Sequence, residues 1–212
     1  MKAKALFVAV VLLALIWPTP GAAQKPAAED AVTPDEYAVY NAYLRTVLRS
    51  KHFAEDELPS KQLKTLVIVD HTGGPYKEKD EPNWSKYVKG GLQGMDPGLV
   101  DVFLTRNKAA APVENHFETS LNVTFVSQEE IDGIFKQGAK NPDFGWDGFY
   151  RKFPDSQGFT RLSRVAFSSD GKQALLRVDT SCDWLCGAGY MVLLEKKEDV
   201  WIVKKGLMLW VS

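Results

Sequence analysis

The chain has 212 residues, of which 45% are hydrophobic and 25% are charged, and its formal net charge is -1. These values are those of a globular protein, and they exclude a disordered, a collagen-like and a multi-span membrane chain. The balanced charge provides no basic surface for nucleic acid, so we expect no nucleic-acid partner. A chain of this length can form a hydrophobic core without a metal or many disulfides.

The first 23 residues have the pattern of a signal peptide. Two lysines precede the apolar run 5–17, and the small residues 21–23 follow it. The run is shorter than the roughly 20 apolar residues that a membrane span needs. The alternative is an uncleaved anchor, which the small residues after the run disfavour. We predict cleavage after Ala23, export to the periplasm or the exterior, no stable membrane anchor in the mature protein, and a flexible lead-in over 24–32.

The first half of the mature chain predicts helices that alternate with two strands. Thr33, Pro34 and Glu36 form a capping box with proline at the first helical position, and Ser127 and Glu130 form a second capping box. Residues 76–94 are polar and glycine-rich, and they predict a loop. The predicted elements are a helix over 33–50, a strand over 62–70, a helix from Asp96 to Asn107, a strand over 117–126 and a short helix after Ser127.

The last third of the chain predicts an antiparallel β-meander. The predicted strands are 159–168, 172–180, 190–196 and 200–211, and the pair Asp170-Gly171 is a strong hairpin signal. We therefore predict an α+β domain over 33–212, with N-terminal helices packed on a mainly antiparallel sheet. A long first helix and a late meander also suit the cone of the NTF2-like superfamily, a fold that hosts both enzymes and binding proteins.

Five aromatic residues lie between residues 144 and 153. If Trp146 is exposed, this run is a platform for a carbohydrate or a peptide; if it is buried, the run belongs to the core, which is the commoner place for large aromatics. Trp146 and Trp184 are therefore the candidate binding residues.

Cys182 and Cys186 lie in one short loop between two predicted strands. In an exported chain this arrangement predicts a disulfide, which would fix the shape of the loop. A redox-active pair is the alternative, although such pairs more often have two intervening residues at a helix start. The three histidines lack ligand spacing, so we expect no metal and no cofactor.

Asp70, His71 and Thr72 follow a predicted buried strand, which is where many enzymes place catalytic groups. His71 is the candidate acid or base, and Asp70, Asp101 or Glu114 are the carboxylates that could assist it. The structural alternative is a turn that Asp70 and Thr72 cap with side-chain hydrogen bonds while His71 points to solvent. The sequence does not choose between these two interpretations.

Several short stretches together resemble a group of exported bacterial proteins of uncharacterised function. They are Phe149-Tyr150-Arg151-Lys152-Phe153-Pro154, Ser156-Gln157-Gly158, Leu162-Ser163-Arg164-Val165-Ala166-Phe167, the loop from Cys182 to Cys186-Gly187, and Trp201 with the terminal Trp210-Val211-Ser212. The resemblance extends upstream to Asp70-x-Thr72 and to Asp101-x-Phe103 with Asn107. It implies bacterial export and one compact domain, and it implies no activity and no site residues.

The residues therefore favour an exported, non-catalytic domain that binds an unknown protein or a small ligand. This interpretation rests on the absence of a recognisable nucleophile, acid and base pattern in the sequence. The first alternative is a hydrolase-like or isomerase-like enzyme with its site near Asp70, His71 and Thr72. The second is a thiol-disulfide protein that uses Cys182 and Cys186.

Overall fold

The computed structural model describes residues 31–49, 63–76, 83–136 and 144–212. Within these residues the chain has an α+β fold of five helices and a seven-stranded sheet. The predicted signal peptide and residues 24–30 of the lead-in lie outside them. The elements are α1 (Pro34–Arg49), β1 (Thr65–Val69), α2 (Trp84–Gly91), α3 (Leu99–Arg106), β2 (Asn122–Val126), α4 (Gln128–Lys136), α5 (Gly145–Lys152), β3 (Ser156–Leu162), β4 (Ala166–Phe167), β5 (Gln173–Ser181), β6 (Gly187–Lys197) and β7 (Val200–Val211).

The strands follow the order β2-β1-β3-β5-β6-β7, and β4 pairs with the end of β5. Strands β3 to β7 pair antiparallel, which confirms the predicted C-terminal meander. Strand β1, in contrast, is parallel to both of its neighbours, β2 and β3. The pairing of β1 therefore differs from that of the rest of the sheet.

The predicted helix and turn signals are formed in the structure. The backbone N–H of Thr33 donates to Glu36 Oε2 at 3.0 Å, and the N–H of Glu36 lies 3.4 Å from Thr33 Oγ1, as a capping box requires. The N–H of Glu130 donates in the same way to Ser127 Oγ at 3.0 Å. Gly171 turns the β4–β5 hairpin with a φ of 66°. These local features were predictable because they depend on residues that are close in the chain.

Helix α1 packs on the first face of the sheet. Its side chains Tyr37, Val39 and Tyr40 are buried against Leu176 and Val178 of β5. The end of the predicted lead-in also belongs to the fold, because Val32 is buried and the carbonyl of Ala31 accepts a hydrogen bond from Arg164. The lead-in prediction is therefore wrong for its last two residues.

A buried ion-pair network fastens the start of α1 to the sheet. Glu36 is fully buried, and Arg164 donates to its two carboxylate oxygens at 2.9 Å each. Arg106 of α3 contacts Glu36 Oε2 at 3.0 Å, and the N–H of Val165 donates to Oε1 at 2.9 Å. Burial alone would raise the pKa of Glu36, but the hydrogen bonds from Arg164, Thr33 and Val165 outweigh it and hold the pKa below its ordinary value.

Helices α2 and α3 cover part of the second face of the sheet. Trp84, Val88 and Phe103 are buried there against Leu175 and Met191. The prediction of a loop over 76–94 is wrong, because residues 84–91 form α2. Glycines lower the intrinsic helix propensity of this segment, and the burial of Trp84 and Val88, four residues apart, compensates for it. Such compensation depends on the sheet and is not visible in the segment itself.

Candidate ligand-binding cleft

The second face of the sheet is covered in two separate places. Helices α2 and α3 pack over β5 and β6, and helices α4 and α5 pack over β1 and β2. Leu175, near the start of β5, packs under helices α2 and α3. Ser181 lies on the same face at the other end of β5. It is opposite Phe159, which packs against helices α4 and α5. The part of this face between the two helix pairs carries polar side chains.

These polar side chains are arranged as a row across four strands. Arg161 of β3 is opposite Asp179 of β5, Asp179 is opposite Gly189 of β6, and Gly189 is opposite Trp210 of β7. Arg177 lies two residues before Asp179 and therefore points to the same face. The pairing of the strands thus brings together five residues from four segments of the chain.

Glycine at position 189 is what allows Trp210 to reach across the sheet. A Cβ at this position would lie 2.0 Å from Trp210 Nε1 and 2.4 Å from Asp179 Oδ1. These distances are too short for any residue with a side chain. Across this gap the indole N–H of Trp210 donates to Asp179 Oδ1 at 2.7 Å. The missing side chain therefore makes room for a hydrogen bond between two residues that are two strands apart.

Asp179 accepts hydrogen bonds from two sides. Arg177 Nε lies 2.9 Å from its Oδ2 and 3.2 Å from its Oδ1, and Trp210 donates to Oδ1. Both members of the Arg177–Asp179 pair are largely buried, at 11% and 15% side-chain exposure. A buried carboxylate with such donors is a fixed structural element rather than a free base.

The ring of Tyr76 lies over the polar side chains of this sheet face, next to Arg177. Its ring stacks on Phe103, with 5.5 Å between the centroids, and the guanidinium carbon of Arg177 lies 4.6 Å from the ring centroid on the cation–π side. Burial raises the pKa of Tyr76, and the charge of Asp179 raises it further. The phenol is therefore protonated at neutral pH and can donate a hydrogen bond.

Together these residues enclose a cleft of about 250 Å³. Its lining comprises Gly74, Tyr76, Phe159, Arg161, Arg177, Asp179, Ser181 and Trp210. This volume is near the lower end of the usual range for small-molecule sites, and it corresponds to about eight water molecules at ~30 Å³ each. The lining combines aromatic walls with a few fixed polar groups, as ligand pockets do.

Arg161 differs from Arg177 in having no carboxylate partner among the described residues. Its Nη2 donates to Gln128 Oε1 on α4. The amide nitrogen of Gln128 donates in turn to Asp132 Oδ1 at 2.8 Å, and Lys136 donates to the other oxygen of Asp132. Hydrogen bonds from Lys136 and Gln128 hold the pKa of Asp132 below its ordinary value. A chain of hydrogen bonds along one side of α4 thus ends at the guanidinium in the cleft.

The side chains of the predicted site at Asp70, His71 and Thr72 have separate partners: Thr72 bonds to the backbone of a distant segment, and His71 contacts Asp70. The hydroxyl of Thr72 is buried and accepts the N–H of Ala111 at 2.9 Å. His71 is exposed, and its Nδ1 lies 3.0 Å from Asp70 Oδ1. None of these three residues lines the cleft.

The other two carboxylates proposed for this site do not join it. Asp101 is exposed on α3, and Glu114 lies 3.3 Å from His116 instead. Neither forms a hydrogen bond or ion pair with His71 within the described ranges.

The two tryptophans singled out by the sequence have different environments. Trp146 is only 8% exposed and packs edge-on against Phe149 in the core of α5, so the aromatic run is part of the core. Trp184 is 63% exposed, with its ring near those of Phe135 and Phe144. Of the two candidate binding residues, only Trp184 presents its ring to solvent.

Cys182 and Cys186 form the predicted disulfide. The bridge closes the loop between β5 and β6, and the N–H of Cys182 also donates to the carbonyl of Cys186 at 3.0 Å. Tyr150 of α5 donates its hydroxyl to the carbonyl of Cys182. Ser181, the last residue of β5 before this bridged loop, lines the cleft.

Sequence reasoning missed the residues that line the cleft. A signal was present in β5, where the charged residues Arg177 and Asp179 flank the apolar Val178 in a strand that has neighbours on both sides. Charged residues at alternate positions of an interior strand indicate a polar region on a sheet face. The contributions of Tyr76, Arg161 and Trp210 depend on pairing between distant segments.

Comparisons with known proteins give no relative: no family model, no curated protein and no solved structure matches this chain. Within residues 31–49, 63–76, 83–136 and 144–212, no cluster of histidine, cysteine and acidic side chains could hold a metal ion. No helix in the described part of the chain is long and apolar enough to cross a membrane.

Proposed function

We propose that this protein is an exported, non-catalytic binding protein that acts in the periplasm or outside the cell, and that its cleft holds a small organic anion. The signal-peptide pattern of the first 23 residues and the resemblance to exported bacterial proteins support export. The disulfide between Cys182 and Cys186 supports an oxidising compartment.

The observation that carries the proposal is the uncompensated charge of Arg161. The cleft contains two guanidinium groups and one carboxylate, and Arg177 already pairs with that carboxylate, Asp179. Arg161 contributes a remaining charge of +1 in a partly enclosed, aromatic-lined space. A guanidinium in such a place favours an anionic ligand, because the amide of Gln128 that it already contacts is neutral and an anion adds a partner of opposite charge.

The protonation and bonding of the other lining residues favour binding over catalysis. Tyr76 is protonated at neutral pH even at the ordinary pKa of a phenol, and burial and Asp179 raise its pKa further, so it is a donor rather than a base. Asp179 is engaged by Arg177 and Trp210. The enzyme near Asp70, His71 and Thr72 and the thiol-disulfide protein stay predictions from the sequence. The contact between His71 and Asp70 suits the enzyme, but His71 is exposed and lies outside the cleft.

The test is a binding survey with matched small molecules on the purified mature protein. Benzoate, phenylphosphonate, terephthalate, neutral benzamide and cationic benzamidine are compared by calorimetry and by the shift of the thermal midpoint. We expect at least one anion to bind and the neutral and cationic compounds not to bind. Arg161→Gln removes the cleft charge, whereas Arg45→Gln, which breaks a surface pair with Glu118, is the matched control.

Loss of one charge-assisted hydrogen bond of about 1.5 to 3 kcal/mol predicts at least about a tenfold weaker affinity in Arg161→Gln. The control variant should bind like the wild type. The proposal is wrong if no anion binds, or if Arg161→Gln binds the anion as tightly as Arg45→Gln does.

A further inference from the structure

We infer that the ligand is a monocarboxylate received by Arg161, and that Gln128 and Asp132 are positioning residues that fix the plane of its guanidinium. This inference rests on the proposed function and deepens it. It draws on three observations: the charges in the cleft, the donors that Arg161 has left, and the hydrogen-bond chain on α4.

The charges favour a ligand with a single negative charge. Arg161 and Asp179 are opposite each other on adjacent strands, and the Cβ atoms of such pairs are about 4.5 to 5.5 Å apart. A second anionic group that enters the small cleft would approach Asp179 and be repelled by it. The charge of Asp179 is balanced by Arg177, so only the charge of Arg161 is left for the ligand.

The donors that Arg161 has left favour a planar anion. A guanidinium has five N–H groups in one plane, and Gln128 Oε1 is the acceptor of one hydrogen bond from Nη2. Within the part of the chain that the structure describes, the remaining N–H groups of Arg161 have no partner. Two parallel N–H groups match the two oxygens of a carboxylate, and this match is lost if the plane of the guanidinium turns away.

The series of hydrogen bonds along α4 opposes such a rotation of the guanidinium. Gln128, Asp132 and Lys136 are spaced by four residues, so they lie on one side of the helix. Because the amide nitrogen of Gln128 donates to Asp132, its amide oxygen is directed to Arg161. The amide is thereby held in one of its two orientations. If the carboxylate of Asp132 is removed, the amide can flip and present N–H groups to the guanidinium instead.

Ligand selectivity tests the chemical class. We expect benzoate to bind at least about tenfold more tightly than terephthalate and, at a pH where the phosphonate is a dianion, than phenylphosphonate, because benzoate alone carries a single charge there and a second charge is repelled by Asp179. If phenylphosphonate or terephthalate binds more tightly and this binding requires Arg161, the inference is wrong while the proposed function stands. If no anion binds, the proposed function fails and the inference fails with it.

Variants on α4 test the positioning role. Gln128→Ala and Asp132→Ala should lower the ratio of benzoate to phenylphosphonate affinity, by about fivefold or more. Asp132→Asn keeps an oxygen that can accept from Gln128, and it should restore the ratio. Glu129→Gln, on the exposed side of the same helix, is the control. A loss of stability alone would not change this ratio, so an unchanged ratio in both alanine variants contradicts the positioning role.

Discussion

Substitution of Gly189 by alanine tests the architecture of the cleft directly. The new Cβ would lie 2.0 Å from Trp210 Nε1 and 2.4 Å from Asp179 Oδ1, so the indole must leave the carboxylate. The lost hydrogen bond to a charged group costs about 1.5 to 3 kcal/mol, and the overpacking costs about 1 to 3 kcal/mol more. Replacing a strand glycine returns about 0.5 to 1 kcal/mol. We therefore expect Gly189→Ala to lower the free energy of unfolding by about 2 to 5 kcal/mol.

The assay is urea and thermal unfolding followed by circular dichroism, with the indole N–H resonance of Trp210 as a local probe. For a domain of this size the expected loss lowers the thermal midpoint by about 4 to 20 °C. Gly206→Ala is the matched control, because the nearest atom to its added Cβ is 4.0 Å away, on Tyr190 of the neighbouring strand. Equal stability of the two variants, with an unshifted Trp210 resonance, would refute the reasoning.

Two further predictions concern the core. Glu36→Gln removes the charge that pairs with the buried Arg164 and with Arg106, and it should cost about 3 to 5 kcal/mol in unfolding free energy. Because the pKa of Glu36 is lowered on folding, the wild type should lose this stability as the pH falls below the ordinary value of 4.5, and the unfolding free energy of the variant should depend less on pH there. Trp146→Ala should cost about 3 to 5 kcal/mol in chemical unfolding, whereas exposed Trp184→Ala should cost about 1 kcal/mol or less; similar losses would contradict the burial difference.

The parts of the fold that the sequence predicts are those decided by neighbouring residues. The capping boxes at Thr33 and Ser127, the hairpin at Gly171 and the disulfide each depend on residues within a few positions. The boundaries of β5 and β7 agree with the predictions to within one residue for the same reason, since turn residues precede both strands. Local chemistry is therefore sufficient for these elements.

The remaining parts depend on contacts between distant segments. The pairing of β1 with β2 and β3 joins residues 65–69 to residues 122–126 and 156–160, and no local pattern encodes that parallel arrangement. Helix α2 is short and glycine-containing, and its buried Trp84 and Val88 need the sheet beneath them. The cleft combines both difficulties, because Tyr76, Arg161 and Trp210 meet only through the completed sheet.

One feature of the cleft is nevertheless visible in the sequence: charged residues lie within an interior strand. Strand β5 lies between β3 and β6, and apolar side chains along the whole of its second face would let helices pack over all of it. Instead its second face changes from Leu175 to Arg177 and Asp179, whose burial is costly even when they are paired. A stability requirement alone does not account for this change, because apolar side chains would let the two helix pairs on this face close over it. Local departures of this kind are expected where a protein keeps a polar site at the expense of its core, and the proposed anion would pair with Arg161, which has no carboxylate partner among the described residues.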